Sequence, residues 1–209
     1  MLLKGQNRPA QLNESKIMKT IITCGAGLLL LAFLTGCVVT SVYPFYSAQD
    51  EVFDPSLVGT WSEHSGLADT NNFWRFARLQ EQAYWLTHVE NEETNCYVTH
   101  CFRLQQNTFL DLCTTNRFED QLPLHYLVKI GKSGSKLQFE VLNFEWLAQL
   151  LEKNPEALRH LLVPSEPGKT NNNQLVITAD TPELQRFTLK HINNTNAFGD
   201  ATMLKHWKD

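Results

Sequence analysis

The feature that most restricts what this 209-residue chain can fold into is a series of two-residue alternations between positions 57 and 142. Side chains of a strand point to opposite faces in turn, so an apolar residue at every second place marks a half-buried sheet. Asp54-Pro55-Ser56 reads as a turn or short helical start. Leu57-Val58-Gly59-Thr60-Trp61 then begins the first strand. Phe73 to Leu79 and Ala83 to Val89 are aromatic and β-rich, and Gln80-Glu81-Gln82 between them predicts a hairpin. Leu124, Tyr126, Val128 and Ile130 alternate with His125, Leu127 and Lys129; after Lys132-Ser133-Gly134-Ser135 the chain returns through Leu137 to Leu142 as a second hairpin.

Between these hairpins, Val98, Phe102 and Leu104 share one face, with Thr99, Cys101 and Arg103 on the other. Leu110 and Leu112 alternate with Asp111 and Cys113. A register slip of one residue turns every side chain to the wrong face, so the apolar faces of the two strands must match. Matching them pairs Phe102 with Leu112 and Cys101 with Cys113. Opposed Cβ atoms lie about 4.5–5.5 Å apart, which makes Cys101 and Cys113 a candidate cross-strand disulfide and leaves Cys96 as a buried thiol. Asp111 then falls on the outer face, where solvation is the expectation.

Past residue 142 the apolar period lengthens. Asn143 can cap a helix carrying Trp146, Leu147, Leu150 and Leu151. Asn154-Pro155-Glu156 predicts a second helix with Leu158, Leu161 and Leu162 on its apolar face. Leu175 to Thr178 is a short strand, Thr181-Pro182-Glu183 caps a third helix to about His191, and Met203 to Trp207 predicts a last strand. Strands followed by helices give a mostly β fold: an antiparallel up-and-down sheet or partly closed barrel of six to eight strands, packed by two or three C-terminal helices.

The N-terminus carries a different message. Lys16 and Lys19 precede 14 residues from Ile21 to Leu34 in which only Thr23 is polar. A transmembrane helix needs about 20 apolar residues, whereas a signal-peptide core is shorter and follows a basic segment. The run ends in Leu34-Thr35-Gly36-Cys37. This tetrapeptide resembles the lipobox of bacterial lipoproteins. The resemblance implies a diacylglyceryl thioether on Cys37, cleavage before it and an acylated new N-terminus. With Val38 and Val39 rather than Asp after the Cys, the lipoprotein sorting rule implies the outer membrane, facing the periplasm. The expected organisation is a signal region 1–36 starting at Met18, a lipidated tether 37–53 and one β-rich domain 54–209.

Composition narrows the function classes. Hydrophobic residues are 43% and charged residues 19%, an ordinary globular balance. Loss of residues 1–36 removes four cations and one acid and moves the formal charge from −4 to −7. Nucleic-acid binding needs clustered Lys and Arg, so it is excluded as an expectation. An acidic surface is repelled by anionic lipid, so an anchor rather than charge must hold the protein to a membrane.

Gly59-Thr60-Trp61 resembles the G-x-W signature that opens the first strand of lipocalins, where the Trp plugs the closed end of a barrel and the Gly lets the chain pack beneath it. That resemblance implies a lipocalin-like barrel and a small apolar ligand. A wider likeness runs through Val42-Tyr43-Pro44-Phe45-Tyr46, Phe53 to Trp61, Phe109-Leu110-Asp111-Leu112 and Leu175 to Ala179. It looks like a group of small bacterial lipoproteins without assigned activity.

No chemistry announces itself. Cys96-x3-His100 has the spacing of ligands on a helix, but strand residues four apart lie about 13 Å from each other and cannot share a zinc ion. The other His residues (64, 88, 125, 160, 191 and 206) are scattered, and there is no nucleophile elbow, phosphate loop or C-x-x-C. Glu90, Glu92 and Glu93 read as a solubilising turn, and the five Trp as core. The expectation is therefore no metal, no cofactor and no catalytic residues. The function expected is a lipid-anchored, non-enzymatic binding or interaction module. Its alternatives are a carrier of a small apolar ligand and a structural partner of another envelope protein.

Overall fold

The structure is a computed structural model that describes residues 39–63, 72–115, 122–164 and 173–207. Eight antiparallel strands form a ring: β2 (Gly59–Ser62), β3 (Asn72–Arg78), β4 (Ala83–Glu90), β5 (Glu93–Leu104), β6 (Asn107–Thr114), β7 (His125–Ser133), β8 (Lys136–Val141) and β11 (Thr202–His206). Pairing of β6 with β7 and of β11 with β2 closes the barrel. Eight strands enclose a space that side chains can just fill. Phe76, Tyr84, Leu86, Leu110, Leu137 and Leu204 point into it and are at most 1% exposed.

The remaining elements clad one side of this barrel. β1 (Thr40–Ser41) precedes it. Between β8 and β11 the chain forms α1 (Phe144–Lys153), a one-turn 3₁₀ segment Pro155–Ala157, β9 (His160–Pro164), β10 (Asn173–Ile177) and α2 (Thr181–His191). β1 pairs with β7 through Ser41 and His125 and runs parallel to β10, so β1-β10-β9 form a small wing on the barrel. A second apolar cluster lies outside the barrel wall, where Phe102, Phe109 and Leu127 meet Phe45, Leu147 and Leu184. The β5-β6-β7 wall is therefore apolar on both faces.

Both predicted hairpins form, and α1 starts where expected: the Asn143 side chain accepts from the Trp146 N–H, and Leu147 and Leu151 are buried. At α2 the cap is Asp180, which accepts from Glu183 N–H. The Thr181 hydroxyl donates instead to Pro44 O at 2.7 Å, stitching the helix to the segment before the barrel.

Four expectations are corrected. The helix predicted from Asn154 is a single turn followed by β9, because Leu161 and Leu162 find strand partners in Val176 and Leu175. Only Leu158 of the supposed apolar face is buried. Residues 39–53, expected to be tether, belong to the folded body: Val39, Thr40, Ser41 and Phe45 are at most 4% exposed. The β5–β6 register pairs Phe102 with Phe109, Cys101 with Leu110 and Val98 with Cys113. Face matching failed because both faces of the hairpin are buried, and the two-residue turn at Gln105-Gln106 sets the register instead. Cys101 consequently faces the interior and Cys113 the opposite side, and Cys96, Cys101 and Cys113 are free thiols. The fourth correction concerns Asp111.

Candidate functional site

Asp111 is completely buried, although it lies on the outer face of the barrel wall. The segment 42–53 crosses that face as a strap. The Phe45 N–H donates to Asp111 Oδ2 at 2.8 Å, and His125 Nδ1 lies 2.7 Å from Asp111 Oδ1. The registers explain this meeting. Asp111 opposes Leu127 and Cys113 opposes His125, so Asp111 and His125 are diagonal neighbours on one face. A buried carboxylate requires such partners, because an unpaired charge out of water costs several kcal/mol.

Burial works against a charged His125 ring. Hydrogen bonds with Asp111 and Cys113, together with the Asp111 charge, outweigh it and raise the imidazole from 6.5 to about 9. At neutral pH the ring is a cation that donates to Asp111. Cys113, His125 and Asp111 have the residue types of a nucleophile, base and orienting acid, and among them His125 Nδ1 and Asp111 Oδ1 make a close contact of 2.7 Å. The arrangement does the work of an ion pair, pinning the strap to the wall.

Neighbouring groups extend the cluster. His100 opposes Asp111 across β5 and β6, and Tyr46 of the strap stacks on its ring at 4.5 Å. Burial, with Asp111 and Glu51 nearby, pushes the Tyr46 phenol far above its ordinary value. His100 Nδ1 is 3.3 Å from Glu51 Oε1, close enough for an ion pair but without hydrogen-bond geometry. At the strap's far end, Asp50 accepts from the Ser47 N–H and from Gln185 Nε2 of α2 at 2.8 Å. Backbone bonds from Val52 N–H to Cys101 O and from Arg103 N–H to Asp50 O complete the seam.

The G-x-W residues sit at the barrel end that carries the short β3–β4, β5–β6 and β7–β8 turns. The Trp61 indole N–H donates to Leu57 O at 2.8 Å, and its ring meets His206 edge-on at 4.8 Å. Gly59 has φ +136°, and a Cβ there would lie 2.2 Å from His206 Nε2. Near the opposite rim, Trp85, Cys96, Tyr97, Thr114 and Tyr126 line a half-open hollow of about 330 Å³. Leu34, Thr35, Gly36 and Cys37 lie outside the described residues. Among the described residues, no group of three or more His, Cys, Asp or Glu is placed to hold a metal ion.

Reading the sequence missed the Asp111–His125 pair, though a signal existed. Phe109-Leu110-Asp111-Leu112 is apolar at both parities, so its one carboxylate had no solvent face to occupy. Comparison with protein-family models, curated proteins and solved structures finds no match for this chain.

Proposed function

We propose that this protein is a lipid-anchored envelope lipoprotein, acylated at Cys37, held to the outer membrane and facing the periplasm. Its barrel acts there as a rigid, non-enzymatic interaction module. The packed interior is the observation that carries the reading beyond the anchor. Its central side chains Phe76, Tyr84, Leu86, Leu110, Leu137 and Leu204 are at most 1% exposed, so the middle of the barrel is filled by its own residues. A binding site for a small molecule needs about 300 Å³ or more of concave space. The hollow near the rim has that volume but is half-open. The strap, the wing and two helices stiffen one wall of the barrel, as suits a scaffold that presents a surface to another envelope protein.

The test is expression of the full chain in a Gram-negative host with labelled palmitate, followed by native mass spectrometry and cross-linking. Expected are label on the protein, its loss in Cys37→Ala, a mass free of non-covalent ligand and a cross-linked protein partner. Label persisting in Cys37→Ala would sink the anchor reading. A discrete small molecule released on unfolding would replace the interaction module with a carrier.

A further inference from the structure

We propose that β9 is a second membrane contact, lying in the lipid headgroup region beside the anchor with Leu161, Leu162 and Val163 against the acyl-chain boundary; this rests on acylation of Cys37. These three residues are 58%, 56% and 41% exposed. Successive strand residues alternate in direction, so the aliphatic surface lies on both faces of β9. β9 is also the outermost strand of the wing. Runs of exposed aliphatic residues on a sheet edge are an aggregation hazard unless something covers them.

Chain length says what covers them. Leu161 opposes Val176, which opposes Thr40, so the three residues form one row across β9, β10 and β1. Two inter-strand steps span about 10 Å. Thr40 is only three residues from Cys37, at most about 11 Å of extended chain. An acylated Cys37 therefore ties Leu161 to within about 21 Å of its own Cα. An added strand from a partner protein would cover the β9 edge but leave side chains on both faces in water. A lipid interface covers both faces together. The backbone edge limits the depth: its N–H and C=O groups find water and headgroups at the boundary but not in the hydrocarbon. Leu79, at 42% exposure on the short-turn end of the barrel, has no such tie to the anchor.

The experiment uses the full lipoprotein in vesicles of phosphatidylethanolamine and phosphatidylglycerol that carry an acyl-chain diazirine. After photolysis, trypsin cuts after Arg159 and Lys169 and releases residues 160–169 as one peptide. Expected are lipid adducts on that peptide, none on the peptide that begins at Leu79, and loss of the adducts in Leu161→Ser/Leu162→Ser. Both residues are exposed, so the double variant keeps the wild-type melting temperature. An acylated Cys37 with an unlabelled 160–169 peptide overturns the contact and leaves the anchor standing. An unacylated Cys37 removes both. Cross-linking of 160–169 to protein instead of lipid overturns the proposal in favour of strand addition by a partner.

Discussion

At the scale of single residues, the buried charges decide how stability depends on pH. His125 has its pKa raised from 6.5 to about 9. A folded state that binds a proton more tightly than the unfolded chain gains stability below pH 6.5, and loses it as pH climbs through 9. The gain is on the order of 3 kcal/mol. His88 works in the opposite direction. Burial of its ring, stacked 3.7 Å from Trp74, lowers its pKa from 6.5 to about 4. Its contribution is present above pH 6.5 and is lost as pH falls through 4. Urea unfolding across pH 4–10 is therefore expected to show a maximum near 6.5. The fall between pH 6.5 and 9 should be largely lost in His125→Gln, and the acid fall should flatten in His88→Gln. An unchanged alkaline arm in His125→Gln would mean that the pair is not ionised as described. Asp111→Ala, which strands the imidazolium and the Phe45 N–H, is expected to cost about 3–5 kcal/mol near neutral pH.

Gly59 is the other residue with no substitute. Its backbone conformation is nearly glycine-only, worth about 1–3 kcal/mol to any side chain, and the His206 ring occupies the place of a Cβ. Gly59→Ala should lower the urea midpoint. Placing it in a His206→Ala background should recover the steric part and leave the conformational part. Additive losses in the double variant would show that the ring contact is irrelevant.

At the scale of elements, the β5–β6 hairpin shows how a sound local rule fails. Face matching presumes a wet face and a dry face. Here the inner face packs the barrel and the outer face packs the strap and helices, so apolar parity carries no register information. The consequence is chemical: Cys101 and Cys113 point to opposite sides. Burial pushes the Cys101 thiol up to about 12. Alkylation of the native protein is expected at the half-buried Cys96 and Cys113, and at Cys101 only in urea. A mass two hydrogens short on the native chain would overturn this picture. β9 went astray for a related reason. Leu158, Leu161 and Leu162 have helical spacing, but β10 offers a strand partner that no local pattern reveals.

At the scale of the whole molecule, the barrel and its cladding divide the work. Barrel closure leaves no unpaired edge among the eight ring strands, while the wing ends in β9 with its exposed aliphatic residues. The sequence by itself determined most of the barrel strands, the β3–β4 and β7–β8 hairpins and the capped helix at Asn143, because each follows from local period or turn chemistry. It also supplies Leu34-Thr35-Gly36-Cys37, the tetrapeptide on whose resemblance to a lipobox the proposed anchor rests. Only the tertiary structure decided the hairpin register, the state of the thiols, the burial of Asp111 against His125 and the inclusion of residues 39–53 in the folded body. Each of these depends on what covers the second face of a strand, and that cover comes from residues tens of positions away, beyond the reach of any local pattern.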